Sequence, residues 1–173
     1  YLSQYTEYMS SGNLTGAQVV ERVAIENSIN PRILLSVLEY QSHWVYGQPR
    51  NLAETDYPIG YKALLKKGLY QQLSWAVSQL SIGYYGWRAG LLTELVFPNK
   101  ENIRLAPDLN AGTVAVQYLF SRLYEPRAWG GALYSPGNLA ELHQKMFGSP
   151  WLRAQLIEPL YPTTLTQPEL VLP

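Results

Sequence analysis

Residues 30–45, NPRILLSVLEYQSHWV, constrain this chain more than any other stretch. Asn30 is a good helix cap, and Pro31 suits the first helical position, where a missing N–H costs nothing. Ile33, Leu34, Leu35, Val37 and Leu38 then follow almost without a break. At ~100° per residue, these five with Trp44 and Val45 cover more than half of the helix circumference. A helix that apolar is expected at the centre of a fold, with others around it. Arg32, Ser36, Glu39 and His43 form the one polar face and are expected to be solvated, with Glu39 pairing with His43 at i+4. Gln41 falls inside the apolar arc beside Ser42. An amide there must find partners or line a cleft, because an unpaired buried polar group costs roughly 1–3 kcal/mol.

The rest of the composition suits a helical domain around this rod. The chain has 173 residues, and 47% hydrophobic content is enough for a substantial core. Thirteen basic and 13 acidic residues cancel, and no basic stripe points to nucleic acid. The absence of cysteine excludes disulfides, a thiol nucleophile and a cysteine-built zinc site. Two histidines, His43 and His143, are too few for most histidine-based metal sites. His143, with no partner at metal spacing, is expected on the surface. No metal or other cofactor is expected. No apolar run approaches the ~20 residues a membrane span needs. The first residue is Tyr1, not Met, and the expectation is an upstream segment that has been removed.

Other helices follow from spacing and caps. Thr15 and Gln18 make a capping box for a helix to about Asn27. Leu69, Leu73, Ala76, Val77, Leu80 and Tyr84 recur at helical spacing over residues 68–85. Asn110 opens a third helix carrying Val114, Ala115, Tyr118 and Leu119. Ser135-Pro136 is expected to open another with Leu139, Leu142 and Met146, and Ser149-Pro150 a last one to about Ile157. Residues 1–12, 47–59 and 125–137 are expected to be irregular, and residues 91–109 a loop with a short strand or hairpin. Pro159, Pro162, Pro168 and Pro173 forbid a long helix at the end. The expected division is one helical domain over residues 1–160, then an extended tail or linker over residues 161–173.

The 30–45 stretch resembles the catalytic helix of the lysozyme and lytic transglycosylase superfamily, an apolar helix that opens near a proline and ends in Glu-Ser. Here the matching dipeptide is Gln41-Ser42, ten residues after Pro31. Asn110-Ala111-Gly112 is similar to part of a second motif of those enzymes, with Leu109 where they place a tyrosine that closes over the acid. The resemblance implies an all-α, lysozyme-like fold, with a central helix at about residues 30–45 wrapped by about five others. It implies a protein of the bacterial cell envelope, exported, whose partner is the peptidoglycan glycan strand. The whole arrangement is also similar to cell-wall proteins in which such a module precedes a lysostaphin-type metallopeptidase, so a downstream peptidase domain in the same chain is a further expected partner. The oligomeric state stays open.

Glycosidic cleavage needs a general acid. Gln41 has no proton to transfer, because an amide donates hydrogen bonds only. The resemblance therefore leaves three readings: a silent module that binds glycan; an active enzyme whose acid is Glu39, or Glu54 or Asp56 from the following loop; or a laboratory replacement of Glu by Gln41. A helical spacer with no ligand is the reading from a different class. The 14 Tyr and 5 Trp, against 3 Phe, offer rings that stack on sugars and bond their hydroxyls. The expected contact residues are Ser42, Trp44, Tyr57, Tyr84, Tyr85, Trp87 and Asn110.

Overall fold

The computed structural model describes residues 1–10 and 12–149. The expected last helix and the Pro-rich tail over 161–173 lie outside the described residues. The fold is mostly helical, as expected, but it carries two small antiparallel hairpins.

The first hairpin pairs β1 (Thr6–Met9) with β2 (Gly12–Thr15), where the sequence suggests an irregular lead-in. Gly12, at φ +109°, takes a backbone shape that L side chains rarely adopt. Thr15 then caps α1 (Gly16–Glu26) through the expected box with Gln18. Helix α2 (Pro31–Ser42) starts as its caps dictate, the Asn30 side chain accepting from the Arg32 N–H at 3.0 Å. It ends three residues earlier than expected. His43 takes a left-handed conformation, φ 56°, and the chain turns away there.

Residues 47–59 are only partly irregular, since Asn51 caps a short helix, α3 (Leu52–Asp56). A 3-10 turn over Leu64–Lys66 leads to the longest helix, α4 (Leu69–Arg88). Next come the hairpin of β3 (Glu94–Val96) with β4 (Asn102–Arg104), and α5 (Ala111–Ser121). Helices α4 and α5 pack closely and run antiparallel. Gly83 sets the approach, because a Cβ there would stand 2.8 Å from both Ala115 Cα and Tyr118 Cβ.

The expected link over 125–137 is mostly helix α6 (Pro126–Tyr134). Pro126 supplies the first position, and Trp129 and Ala132 face the core three residues apart. Ser135 closes this helix and does not open the next. Asn138 opens α7 (Leu139–Phe147), its side chain accepting from the Glu141 N–H at 3.0 Å.

The buried side chains form one core. Helix α2 lies within it, bounded by α1 on one side and α7 on another, with Tyr40 edge-on to Phe120 of α5 at 5.8 Å. Two expectations for its polar face are corrected. Ser36 and Glu39 are buried, because α7 and the turn after α2 cover them. His143 is correspondingly not a plain surface histidine: its Nδ1 lies 2.8 Å from Ser36 Oγ. The Ser36 hydroxyl donates to the Arg32 carbonyl at 2.9 Å, which leaves its oxygen to accept from the imidazole.

Candidate functional site

Gln41 sits in the last turn of α2 and is half-buried. Its Oε1 accepts from the Tyr124 hydroxyl at 2.7 Å, from just beyond the end of α5. Its Nε2 is sealed from solvent with no partner among the described residues. Turning the amide over would only exchange the two ends, one meeting Tyr124 and the other unmatched. Burial, with Tyr40 close by, pushes the Tyr124 hydroxyl above the usual tyrosine value. Burial alone does the same to Tyr40. Both therefore remain neutral at ordinary pH, and Tyr124 stays a donor. Gly60, at φ +94°, brings the 57–61 turn alongside. A Cβ there would lie 3.9 Å from Gln41 Oε1.

Among the described residues, the carboxylates of Glu39, Glu54 and Asp56 are each engaged with other partners. Glu39 faces elsewhere, toward the turn behind α2. Its Oε2 accepts from the N–H groups of Val45 at 2.8 Å and Tyr46 at 3.0 Å, and its Oε1 lies 3.7 Å from His43 Nδ1. The expected pairing with His43 is present, but Glu39 is only 7% exposed and acts as a clamp on the turn. Glu54 is also engaged. Its carboxylate accepts from Arg50 and Asn51. Burial acts to raise its pKa, but the hydrogen bonds and charge of Arg50, with the His43 ring, hold it below the ordinary value. Asp56 pairs with Lys67 at 2.9 Å.

Two expected sugar contacts point inward. Trp44 is fully buried, edge-on to Tyr1 at 4.7 Å and tilted against Tyr5 at 4.8 Å, with its Nε1–H on the Glu54 carbonyl at 3.0 Å. Ser42 is buried and donates to the Leu38 carbonyl at 3.1 Å. Neither is open to a ligand. Tyr57 is half-buried, and its carbonyl accepts from the Gly60 N–H at 2.8 Å.

Tyr84, Tyr85, Trp87 and Asn110 lie at the other end of the α4–α5 pair, with Tyr85 and Trp87 on different faces of α4. Tyr85 is 65% exposed and stands edge-on to Tyr84 at 5.2 Å, while Arg88 lies over the Tyr84 ring at 5.8 Å. Trp87 is half-buried, its Nε1–H donating to the Leu109 carbonyl at 2.9 Å. Asn110 is an ordinary cap, accepting from the Thr113 N–H at 2.9 Å. Tyr124 follows the C-terminal end of α5 and Asn110 precedes its start, so at 1.5 Å per residue these clusters lie ~20 Å apart. The structure does not join them into one cleft.

A tyrosine does reach the residue at the presumed acid position, but it is Tyr124 and not residue 109. The stacked pair Tyr61 and Trp75, 4.1 Å apart and within 3° of parallel, is a further feature that the sequence does not single out. An apolar groove lies elsewhere. It encloses 480 Å³ between α1 and α2, lined by Leu2, Val20, Ala24, Ile29, Pro31 and Leu35 among others. Among the described residues, no group of three or more His, Asp or Glu could hold a metal ion.

The sequence family described as the LasA N-terminal domain matches residues 1–161. The chain belongs to that family. No curated protein and no solved structure matches it. As a LasA N-terminal domain, the chain is an N-terminal module of a cell-wall peptidase type, in line with the expected place before a peptidase. The likeness to lysozymes rests on the α2 stretch. No helix of this LasA N-terminal domain is long and apolar enough to cross a membrane, among the described residues.

Proposed function

We propose that this domain is a silent glycan-binding module, which holds an exported cell-wall peptidase, carried downstream in the same chain, on peptidoglycan. The carrying observation is the Tyr85 ring near the end of α4, 65% exposed and edge-on to the half-buried Tyr84, where rings that a core would bury stand partly or largely open. Such rings stack on the C–H faces of sugars while their polar edges bond hydroxyls. Arg88 lies over the Tyr84 ring and adds donors. Family membership supports the cell-wall setting.

The silent part rests on residue 41. Its amide is tied to Tyr124 and has no proton to give. Glu39 clamps the turn at Val45 and Tyr46 and points about 200° around α2 from Gln41. The module therefore binds the glycan without cutting it.

Co-sedimentation with purified peptidoglycan tests this reading, with soluble muropeptides measured in the supernatant. The chain is expected to pellet with the sacculi and to release nothing. Tyr85→Ala, at an exposed position, is expected to weaken retention roughly five- to tenfold, equivalent to about 1 kcal/mol. Unchanged retention in that variant would overturn the ring platform. Muropeptide release would overturn the silent reading, and failure to pellet at all would leave a spacer.

A further inference from the structure

The turn between α3 and α4 is braced from the inside. Gln72, in the first turn of α4, is fully buried. Its Oε1 accepts from the N–H groups of Ile59 and Tyr61, each at 3.3 Å. Its Nε2 donates to the carbonyls of Tyr61 at 2.7 Å and Lys66 at 2.6 Å. Every lone pair and proton of the amide is spent on this one turn. The Tyr61 ring lies flat on Trp75. At the far end, Asp56 takes the Gly68 N–H on its carbonyl at 2.9 Å and Lys67 on its carboxylate at 2.9 Å. Residues 59–68 are therefore held at both ends and in the middle.

What this brace holds up is Leu64 and Leu65, which are 88% and 85% exposed. Single exposed leucines are common on protein surfaces. Two neighbours presented on a rigid turn are different, since the turn cannot fold back to hide them. Lysines flank the pair in the run Lys62-Ala63-Leu64-Leu65-Lys66-Lys67. Lys67 is committed to Asp56, so Lys62 and Lys66, which make no ion pair among the described residues, supply the positive charge beside the tip.

The shape and the charge select the partner. A convex apolar tip needs a matching pocket on a protein, whereas a lipid bilayer accepts it with no pocket at all. Cations beside the tip favour an anionic surface. We infer that the 59–68 turn docks on anionic lipid bilayers, with Leu64 and Leu65 entering the boundary between headgroups and acyl chains and Lys62 and Lys66 meeting lipid phosphates. The contact is peripheral, and the rigid turn loses little conformational freedom on binding. This inference is independent of the glycan reading, whose rings lie at the other end of α4.

The test is co-sedimentation of the full 173-residue chain with vesicles, made either of equal parts phosphatidylglycerol and phosphatidylcholine or of phosphatidylcholine alone. The bound fraction is expected to be several-fold higher on the anionic vesicles and to fall as salt is raised. The double variant Leu64→Ser with Leu65→Ser is expected to lose about tenfold or more of that binding. Both side chains are exposed, so its circular dichroism should match the parent. Lys62→Glu should weaken binding several-fold. Retention on peptidoglycan should be unchanged in the double variant, which keeps this result separate from the glycan reading. Absence of binding to anionic vesicles, equal binding to both lipids, or full binding by the double variant would overturn the inference. So would loss of peptidoglycan retention in the double variant, which would assign the leucines to the cell-wall contact.

Discussion

Replacing Glu39 by alanine removes the acceptor of two backbone N–H groups at once. Val45 and Tyr46 would be left with part-buried donors unpaired, and an unpaired buried group costs about 1–3 kcal/mol. Glu39→Ala is therefore expected to lower stability by about 2–4 kcal/mol, read as a shift in the urea midpoint. Glu39→Gln keeps an acceptor and should recover part of the loss. An acid-catalyst role would instead make Glu39→Gln the harmful change for activity while leaving stability almost untouched. The sequence pattern assigns Glu39 to a solvated face because it places residues by angle around α2. It cannot see that the left-handed turn at His43 brings two N–H groups back over that face. Gln72 was equally hard to read. Its signal is a lone amide within the apolar stripe that runs from Leu69 to Leu80, and only the turn it holds explains it.

At the level of elements, two glycines in helices call for opposite outcomes. Gly83→Ala would place its methyl 2.8 Å from Ala115 Cα and Tyr118 Cβ, so α4 and α5 must separate. The expected loss is about 1–3 kcal/mol, which outweighs the gain in helix propensity of up to about 1 kcal/mol. Gly130→Ala meets nothing within 4 Å and should stabilise α6 by about 0.5–1 kcal/mol. Thermal unfolding of the two variants side by side checks both signs. Long periodic elements were legible from the sequence: α1, α2 and α5 with clear caps, and α4 by its length and spacing alone. Helix α6 was hidden because Gly130 and Gly131 interrupt its pattern, and the sequence rule for turns takes adjacent glycines as a break. The first hairpin has strands of four residues each, too short for alternation to stand out. Of the site, the open rings of α4 were legible by composition. The inward turn of Trp44 was not, because Tyr1 and Tyr5 cover it from forty residues away.

Across the whole molecule, the helices do not share the core equally. Helices α4 and α5 interlock along their length, and α2 is buried among α1, α7 and the ring of Phe120. Helix α7 contributes a single buried side chain, Leu139, and rests on α2 through the Ser36–His143 bond and the Arg32–Phe147 contact. Helices held by so few apolar contacts open at the low end of a protein's range of local stabilities. Helix α7 is the last helix in chain order among the described residues, so a load applied at residue 149 reaches α7 before any other helix. Pulled between its two ends in an optical trap, the chain should yield first in a small early step as α7 peels from α2. The interlocked pair should let go later and at higher force, and a single all-or-none rupture would contradict this order. Helix α7 would then work as a mechanical fuse, giving way under strain without shaking the rest of the fold apart.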